Sequence, residues 1–441
     1  METTLETLGA LERRINVALP IAEIEGEVQK RLSRLARTVR VAGFRPGKVP
    51  LKMVAQQYGP QVRSDVIADA VQRQFNDAVR AQNLRVAGFP RIEQRSSAEQ
   101  GASDALEFSA VFEVYPEVKI GDVSAIAIER PIASVTPADV DRTLDVLRRQ
   151  RTTFEPVDRG AQAGDRVLVD FTGTIDDVEF PGGQARDFPI TLGEGRMLPE
   201  FEAAVTGMRA DDTKRFEMTF PADYHGKEVG GRLAKFELHV KQVAEPRVPE
   251  LDEAFSRQFG IASGSVDELR KEVEANLNLE LKRKIEARLK DQALGGLRGL
   301  ADFALPRALV DQEAQGLAQR MAANLREQGM KTEDINLTPD MFTEQAQERV
   351  KLGLIVGELV RSQELQAKPD QVKALVQETA QTYEQPEAVV RWHYEKRERL
   401  AEFESMAIEQ NVVNWVLERA RVTDTPTTFE ALMTPPPERQ A

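Results

Sequence analysis

Two groups of residues in this chain could do chemistry, and neither is an acid–base pair. The first is cationic. Between Val28 and Ser64 stand Lys30, Arg31, Arg34, Arg37, Arg40, Arg45, Lys48, Lys52 and Arg63, with no Asp or Glu among them, in a chain of formal net charge −13. A basic segment on an acidic protein attracts an anionic surface. At its centre lies Gly43-Phe44-Arg45-Pro46-Gly47-Lys48-Val49-Pro50. Two glycines and two prolines in eight residues exclude a helix or strand interior. The composition predicts a structured loop with one aromatic and two cations at its tip. A solvated basic face around a turn is the plainer alternative. The second group is aromatic. Phe, Trp and Tyr make up only 6% of the chain, yet they cluster between Phe154 and Phe236. They could line an apolar pocket, or be simply the core of a small β domain.

Other chemistries lack their residues. The chain has no Cys, which excludes disulfides and thiolate metal sites. His225, His239 and His393 are too far apart for a local metal motif. Gly43 to Lys48 has three residues between its glycines and Val49 after the lysine, where a P-loop needs four and then Ser or Thr. Gly193-x-Gly195 is followed by Leu198 where a dinucleotide fingerprint needs Gly. With no nucleotide site, any folding activity is expected to be independent of ATP. Residues 1–20 alternate acidic and apolar side chains, without the basic start and greasy run of a secretory signal. No apolar stretch approaches about 18 residues, so no membrane span is expected. A cytoplasmic protein is expected, and its pI near 5.1 is far from that of a nucleic-acid binder.

These residues need elements to position them, and the length suggests roughly three domains. Residues 1–115 read as α+β. A strand is predicted over 11–20 and a helix over 21–40, with Ile21, Ile24, Val28, Leu32, Leu35 and Val39 on one face. A second helix is predicted from Pro60 to residue 83, and a strand over 106–115. Residues 116–130 read as an extended connector. Thr136-Pro137-Ala138-Asp139 opens a helix reaching about residue 153. Residues 154–245 show short β-type runs at 167–171, 188–192, 214–220 and 235–243, with a short helix at 199–205, and predict a mostly antiparallel sheet. From 246 the chain reads as almost all helix. Helix starts are expected at Ser265 as a capping box, at Pro306, at Pro339 and at Pro369, and a last helix after Pro386. Residues 423–441 are expected to fray.

The words Gly43 to Pro50 resemble the GFRxGxxP signature of trigger factor, the ribosome-bound folding chaperones of bacteria. Within 154–245, Val169-Asp170-Phe171-Thr172-Gly173, Phe180-Pro181-Gly182-Gly183, Leu192 to Glu202, Gly207-Met208 and Phe220 to His225 resemble, in order, the FKBP-type peptidyl-prolyl isomerases. The resemblance implies an α+β multidomain protein. A docking domain spans 1–115, a connector and arm helix 116–153, an FKBP-like antiparallel sheet with a short helix 154–245, an all-α chaperone domain 246–430 and a flexible tail 431–441. It implies a pocket at Phe171, Phe180, Phe188, Met197, Leu198, Phe201, Tyr224, His225 and Phe236. It departs from the family where Ile-Pro-Gly-Phe is often found, since this chain has Leu198-Pro199-Glu200-Phe201.

Docking is implied through Gly43, Phe44, Arg45, Pro46, Gly47 and Lys48, on the large ribosomal subunit beside the nascent-chain exit, against ribosomal protein and rRNA. The implied clients are unfolded and nascent polypeptides. The resemblance implies no cofactor and no metal, and it allows a homodimer off the ribosome. Two rivals make different predictions. A free cytosolic prolyl isomerase would not bind ribosomes. An RNA-binding protein would interleave its cations with stacking aromatics, and here only Phe44 and Tyr58 do so.

Overall fold

The computed structural model describes residues 3–39, 44, 49–95, 105–176, 178–222, 224, 229–330 and 337–434. The N-terminal elements are β1 (Thr3–Thr7), β2 (Glu12–Pro20), α1 (Ile21–Thr38), α2 (Leu51–Ala81), β3 (Val86–Arg95) and β4 (Ala105–Val114). Next come β5 (Ala127–Ile132), α3 (Pro137–Gln150), β6 (Thr153–Pro156), β7 (Arg166–Ile175), β8 (Val178–Thr191), α4 (Pro199–Val205), β9 (Thr213–Thr219) and β10 (Leu233–Arg247). The remainder is α5 (Glu253–Gln258), α6 (Val266–Leu300), α7 (Arg307–Glu327), α8 (Thr343–Ser362), α9 (Pro369–Ala380), α10 (Pro386–Tyr394), α11 (Ala401–Leu417), β11 (Arg421–Pro426) and α12 (Phe429–Met433). The chain divides into two compact units, residues 1–130 with 287–424 and residues 131–286 with 425–441.

In the first unit an antiparallel sheet runs β1-β2-β4-β3. Alternation turns Ile15, Val17 and Leu19 of β2 inward, and β4 adds Phe108, Ala110, Phe112 and Val114. α1 lays Ile24, Val28 and Leu32, one helical turn apart, onto this layer, and α2 adds Val66, Val71 and Phe75. Phe75 meets Phe112 edge-on at 5.1 Å. The second helix does not begin at Pro60. It begins at Leu51, directly after Pro50, and holds Pro60 in its interior. Gln56 and Pro60 are both exposed, so the carbonyl that loses its donor can turn to water.

The helices of this unit surround three small cores. Val123, Ile126 and Ile128 share one with Leu297 of α6, Ile355 of α8 and Val412 and Val416 of α11, so the connector packs as part of the helical assembly. α7 and α8 share Val310, Ala314, Leu317 and Ala346, and α9 and α11 share Val372, Val376, Phe403 and Ala407. Glu113 at the end of β4 accepts a hydrogen bond from the Ala308 amide at 2.8 Å and so caps the start of α7. The single last helix expected after Pro386 is two helices, α10 and α11, separated by a tight turn at Arg397–Leu400. Lys396 is extended there, and Arg399 stacks its guanidinium 3.8 Å from the centre of the Trp392 ring. The segment expected to fray from residue 423 is also ordered. β11 pairs with β5, Arg130 bonds Asp424 at 2.7 Å, and Leu432 of α12 is buried. Its final residues, 435–441, lie outside the described residues.

The second unit holds a five-stranded antiparallel sheet. β10 pairs with β7 along one edge, with β9 and β6 along successive parts of the other, and β8 flanks β7. Val167, Val169, Phe171, Phe236, Leu238 and Val240 alternate onto one face and pack under Phe201 and Val205 of α4. A separate core joins Val140 and Leu144 of α3 to Phe255 of α5 and Leu269, Val273 and Leu277 of α6. α3 starts with a capping box. The Asp139 carboxylate accepts from the Thr136 amide at 2.9 Å and from its hydroxyl at 2.7 Å, while the Thr136 hydroxyl accepts the Asp139 amide. The box expected at Ser265 is half made. Ser265 accepts the Glu268 amide at 3.3 Å, but the Glu268 carboxylate turns to the Ser263 hydroxyl.

Candidate active site and docking segment

On the sheet of the second unit opens a cavity of about 750 Å³. Phe171 and Phe236 form its floor from paired strands, and Phe201 of α4 stands edge-on to both, at 5.3 and 5.6 Å. Phe180 and Tyr224 stand at its sides, and Met197 and Leu198 form the wall that leads into α4. Seven of the nine expected pocket residues therefore converge: Phe171, Phe180, Met197, Leu198, Phe201, Tyr224 and Phe236. Phe188 does not line the cavity. It is 39% exposed on β8 and meets the cup only through the edge of the Phe171 ring, 5.9 Å away. His225 lies outside the described residues.

The lining includes residues the sequence reading did not assign to the site, among them Met218, Phe220 and Val229. Phe216, Met218 and Phe220 follow one another at period two along and just after β9, so alternation marks them as one face. Phe216 stacks on Phe236 from outside the cup at 5.5 Å.

Polar groups fasten the frame rather than the floor. Gly193 and Gly195 carry φ of +88° and +68°, a conformation that suits glycine, and the Gly193 amide donates to Glu202 of α4 at 3.1 Å. Lys241 of β10 bonds Asp187 of β8 and lies 3.9 Å from Asp170 of β7. Its ammonium is held above the usual lysine range, first by the hydrogen bond to Asp187. Asp165 is almost wholly buried and takes both arms of Arg159, at 2.6 and 3.0 Å. Among the described residues no group of His, Asp or Glu is arranged to hold a metal.

Such a cup suits a reaction with no proton transfer. Rotation about a peptide bond crosses a barrier of about 18–20 kcal/mol because the amide loses its resonance. The twisted amide is less polar than the planar one. Rings and thioethers therefore favour it over water, and one donor at the rim, such as the Tyr224 hydroxyl, can steady the carbonyl.

Of the expected docking residues, Phe44 is described and is 37% exposed; Gly43, Arg45, Pro46, Gly47 and Lys48 lie outside the described residues. Val49, at the end of the loop, is buried in the N-terminal core and anchors it. Three of the nine cations find acids from beyond the acid-free segment: Lys30 pairs with Glu27, Arg31 with Asp69 and Arg63 with Glu25. Arg34, Arg37 and Lys52 form no ion pair with a described residue, and Leu51 and Met53 are exposed beside Lys52. Unpaired charge thus concentrates at the end of α1 and the start of α2, on either side of the loop. Among the described residues no helix is long and apolar enough to cross a membrane.

Comparison with known proteins agrees with this geometry. The family described as "Bacterial trigger factor protein (TF)" matches residues 1–147, its C-terminal counterpart matches 265–418, and "FKBP-type peptidyl-prolyl cis-trans isomerase" matches 157–241. Trigger factor of Aromatoleum aromaticum is 52% identical, over 98% of this chain and 99% of that one. The trigger factors of Nitrosospira multiformis and an Azoarcus species are each 51% identical over the same shares. With the motif order, the aromatic cup and full-length identity in agreement, the chain belongs to the trigger factor family.

Proposed function

We propose a division of labour within this chain. Its family makes it a ribosome-associated chaperone of nascent polypeptides with FKBP-type prolyl isomerase activity. The isomerase works in the cup of Phe171, Phe180, Met197, Leu198, Phe201, Tyr224 and Phe236, with Phe188 buttressing Phe171 and His225, next in sequence after Tyr224, contributing to the same site. Residues 43–48, flanked by Arg34, Arg37 and Lys52, dock on the large ribosomal subunit beside the exit, against rRNA phosphates and ribosomal protein. Residues 116–153 and 246–430 hold clients in the cytoplasm without ATP, and a homodimer forms away from the ribosome.

One observation carries the isomerase reading: aromatic rings from β7, β10 and α4 converge on a cavity whose floor holds no charge. Phe201→Ala tests it. The ring is 2% exposed, and its loss costs roughly 3–5 kcal/mol, so Phe201→Leu is measured beside it and both are checked by melting. Turnover of a prolyl peptide should fall at least about tenfold in the folded variant, equivalent to about 1.4 kcal/mol of lost transition-state stabilisation. Full turnover would place the chemistry elsewhere.

A further inference from the structure

Phe89 is 92% exposed, the most exposed large apolar side chain among the described residues. It lies in Gly88-Phe89-Pro90 on β3, an edge strand of the N-terminal sheet. Ala87 pairs with Glu113 and Arg91 with Val111, so these three residues stand opposite Phe112 alone and bulge out of the ladder. Gly88 takes a φ of +77°, and a Cβ there would meet the Cβ of Ala308 at 2.5 Å. α7 therefore backs the bulge at Gly88 and leaves the Phe89 ring in water. A lone exposed apolar side chain is ordinary on a protein surface. What sets this one apart is the proline that follows it, in a chain that carries a prolyl cup.

We propose that Phe89-Pro90 of one copy enters the cup of a second copy and closes it as a pseudosubstrate, an inference that rests on the cup being the isomerase site and on the homodimer. The chemistry matches. The floor of Phe171, Phe201 and Phe236 is apolar, and Phe220 and Tyr224 give a wall on which an incoming ring can pack. A cavity of about 750 Å³ is within the range that encloses a small ligand. Phe188-Pro189 is also at the surface, but it is tied down: its ring is 39% exposed and meets Phe171, and both residues pair with β7.

Charge favours the same match. Arg91 pairs with Glu93 beside the bulge and Arg196 with Glu194 on the rim, so each pair is neutral. That leaves Arg85 on the bulge side and Glu200, exposed at the start of α4, on the cup side. Opposite charges steer two surfaces into register. Two copies of a chain with net charge −13 repel at long range, but that field is screened beyond about 8–10 Å at physiological salt, so the groups in contact decide. Once seated, the prolyl bond is held rather than turned over, because rotating it would pull Arg91 from its pairing with Val111. The paired copies are thus silent as isomerases and regain activity when they separate.

The test uses the full-length protein. Turnover of a dilute Ala-Pro peptide is measured per mole of chain across a dilution series, with sedimentation on the same samples. Two copies close most simply around a twofold axis, each filling the other's cup. At about ten times the dimer dissociation constant, mass action leaves about one chain in five free, so turnover per mole should fall about fivefold from its dilute value. Phe89→Ser should keep the native melting curve and dilute turnover, since the ring is exposed, and should lose the fall; Phe89→Tyr should retain it. Constant turnover per mole in a native chain that sediments as a dimer overturns the proposal, and so does an undiminished fall in Phe89→Ser. Failure of the readings beneath it shows separately: a native chain that never dimerises removes the homodimer and this proposal together, and full dilute turnover by folded Phe201→Ala removes the cup.

Discussion

Gly173 and Phe236 stand directly opposite each other across β7 and β10, and the Phe236 ring lies over the space where a side chain at 173 would be. A Cβ on Gly173 would meet Cε1 of that ring at 2.5 Å and Cζ at 2.9 Å. The glycine leaves room for the ring to serve as cup floor and to stack on Phe216, its cross-strand neighbour on β9.

Gly173→Ala should therefore push Phe236 into the cavity. Overpacking of this kind costs typically about 1–3 kcal/mol. Thermal melting should show the loss, and prolyl turnover should fall more than stability alone explains. An unchanged melting temperature with unchanged turnover would mean that the ring is free to move aside.

Much of the site was legible because it is local. Phe171 to Phe236 lie on neighbouring strands and one short helix, so motif order carried the pocket without long-range information. Phe188 shares the inward face with its cross-strand partner Val169 but sits beyond Phe171 along the sheet, past the edge of the cavity, and sequence proximity does not reveal how far the cavity reaches. The helix start at Pro60 failed for a different reason. A proline at a first helical position and a proline tolerated on an exposed helix face look alike in sequence. Pro50, ten residues earlier, was hidden by the loop motif it closes. β3 was missed because Gly88-Phe89-Pro90 breaks its alternation, at a register shift between Ala87 and Arg91. β11 reads as polar tail, and only its pairing with the distant β5 makes it a strand.

The capping box of α3 makes stability depend on pH. The Asp139 carboxylate is held below the usual carboxylate range, first by the hydrogen bond from the Thr136 hydroxyl and then by the Thr136 amide. A depressed folded value contributes stability above the unfolded value, about 3.9, and loses it as pH falls through the folded one. Asp139→Asn should thus melt below the native chain at pH 7. The gap should close as pH drops below about 4. A gap constant with pH would show that charge plays no part in the cap.

Excising residues 154–245 should leave client holding intact. The core of Val140, Leu144, Phe255, Ile261, Leu269, Val273 and Leu277 draws nothing from the excised span. Thr153 and Arg247 are cross-strand partners, so a short linker can join the two ends. Light scattering of a denatured client diluted without ATP should be suppressed nearly as well as by the full chain. Loss of protection in a folded variant would place client holding in the isomerase segment.

The most direct measurement is co-sedimentation with ribosomes, comparing the native chain with a variant in which Phe44, Arg45 and Lys48 are all Ala. Lys30, Arg31 and Arg63 are already paired, so the contact should rest on the loop together with Arg34, Arg37 and Lys52. The native chain should pellet with ribosomes at low salt and release steeply as salt rises. The triple variant should bind at least about tenfold more weakly, with a shallower salt dependence, and keep its melting curve and prolyl turnover. Native-like co-sedimentation of the folded triple variant would contradict docking through this loop.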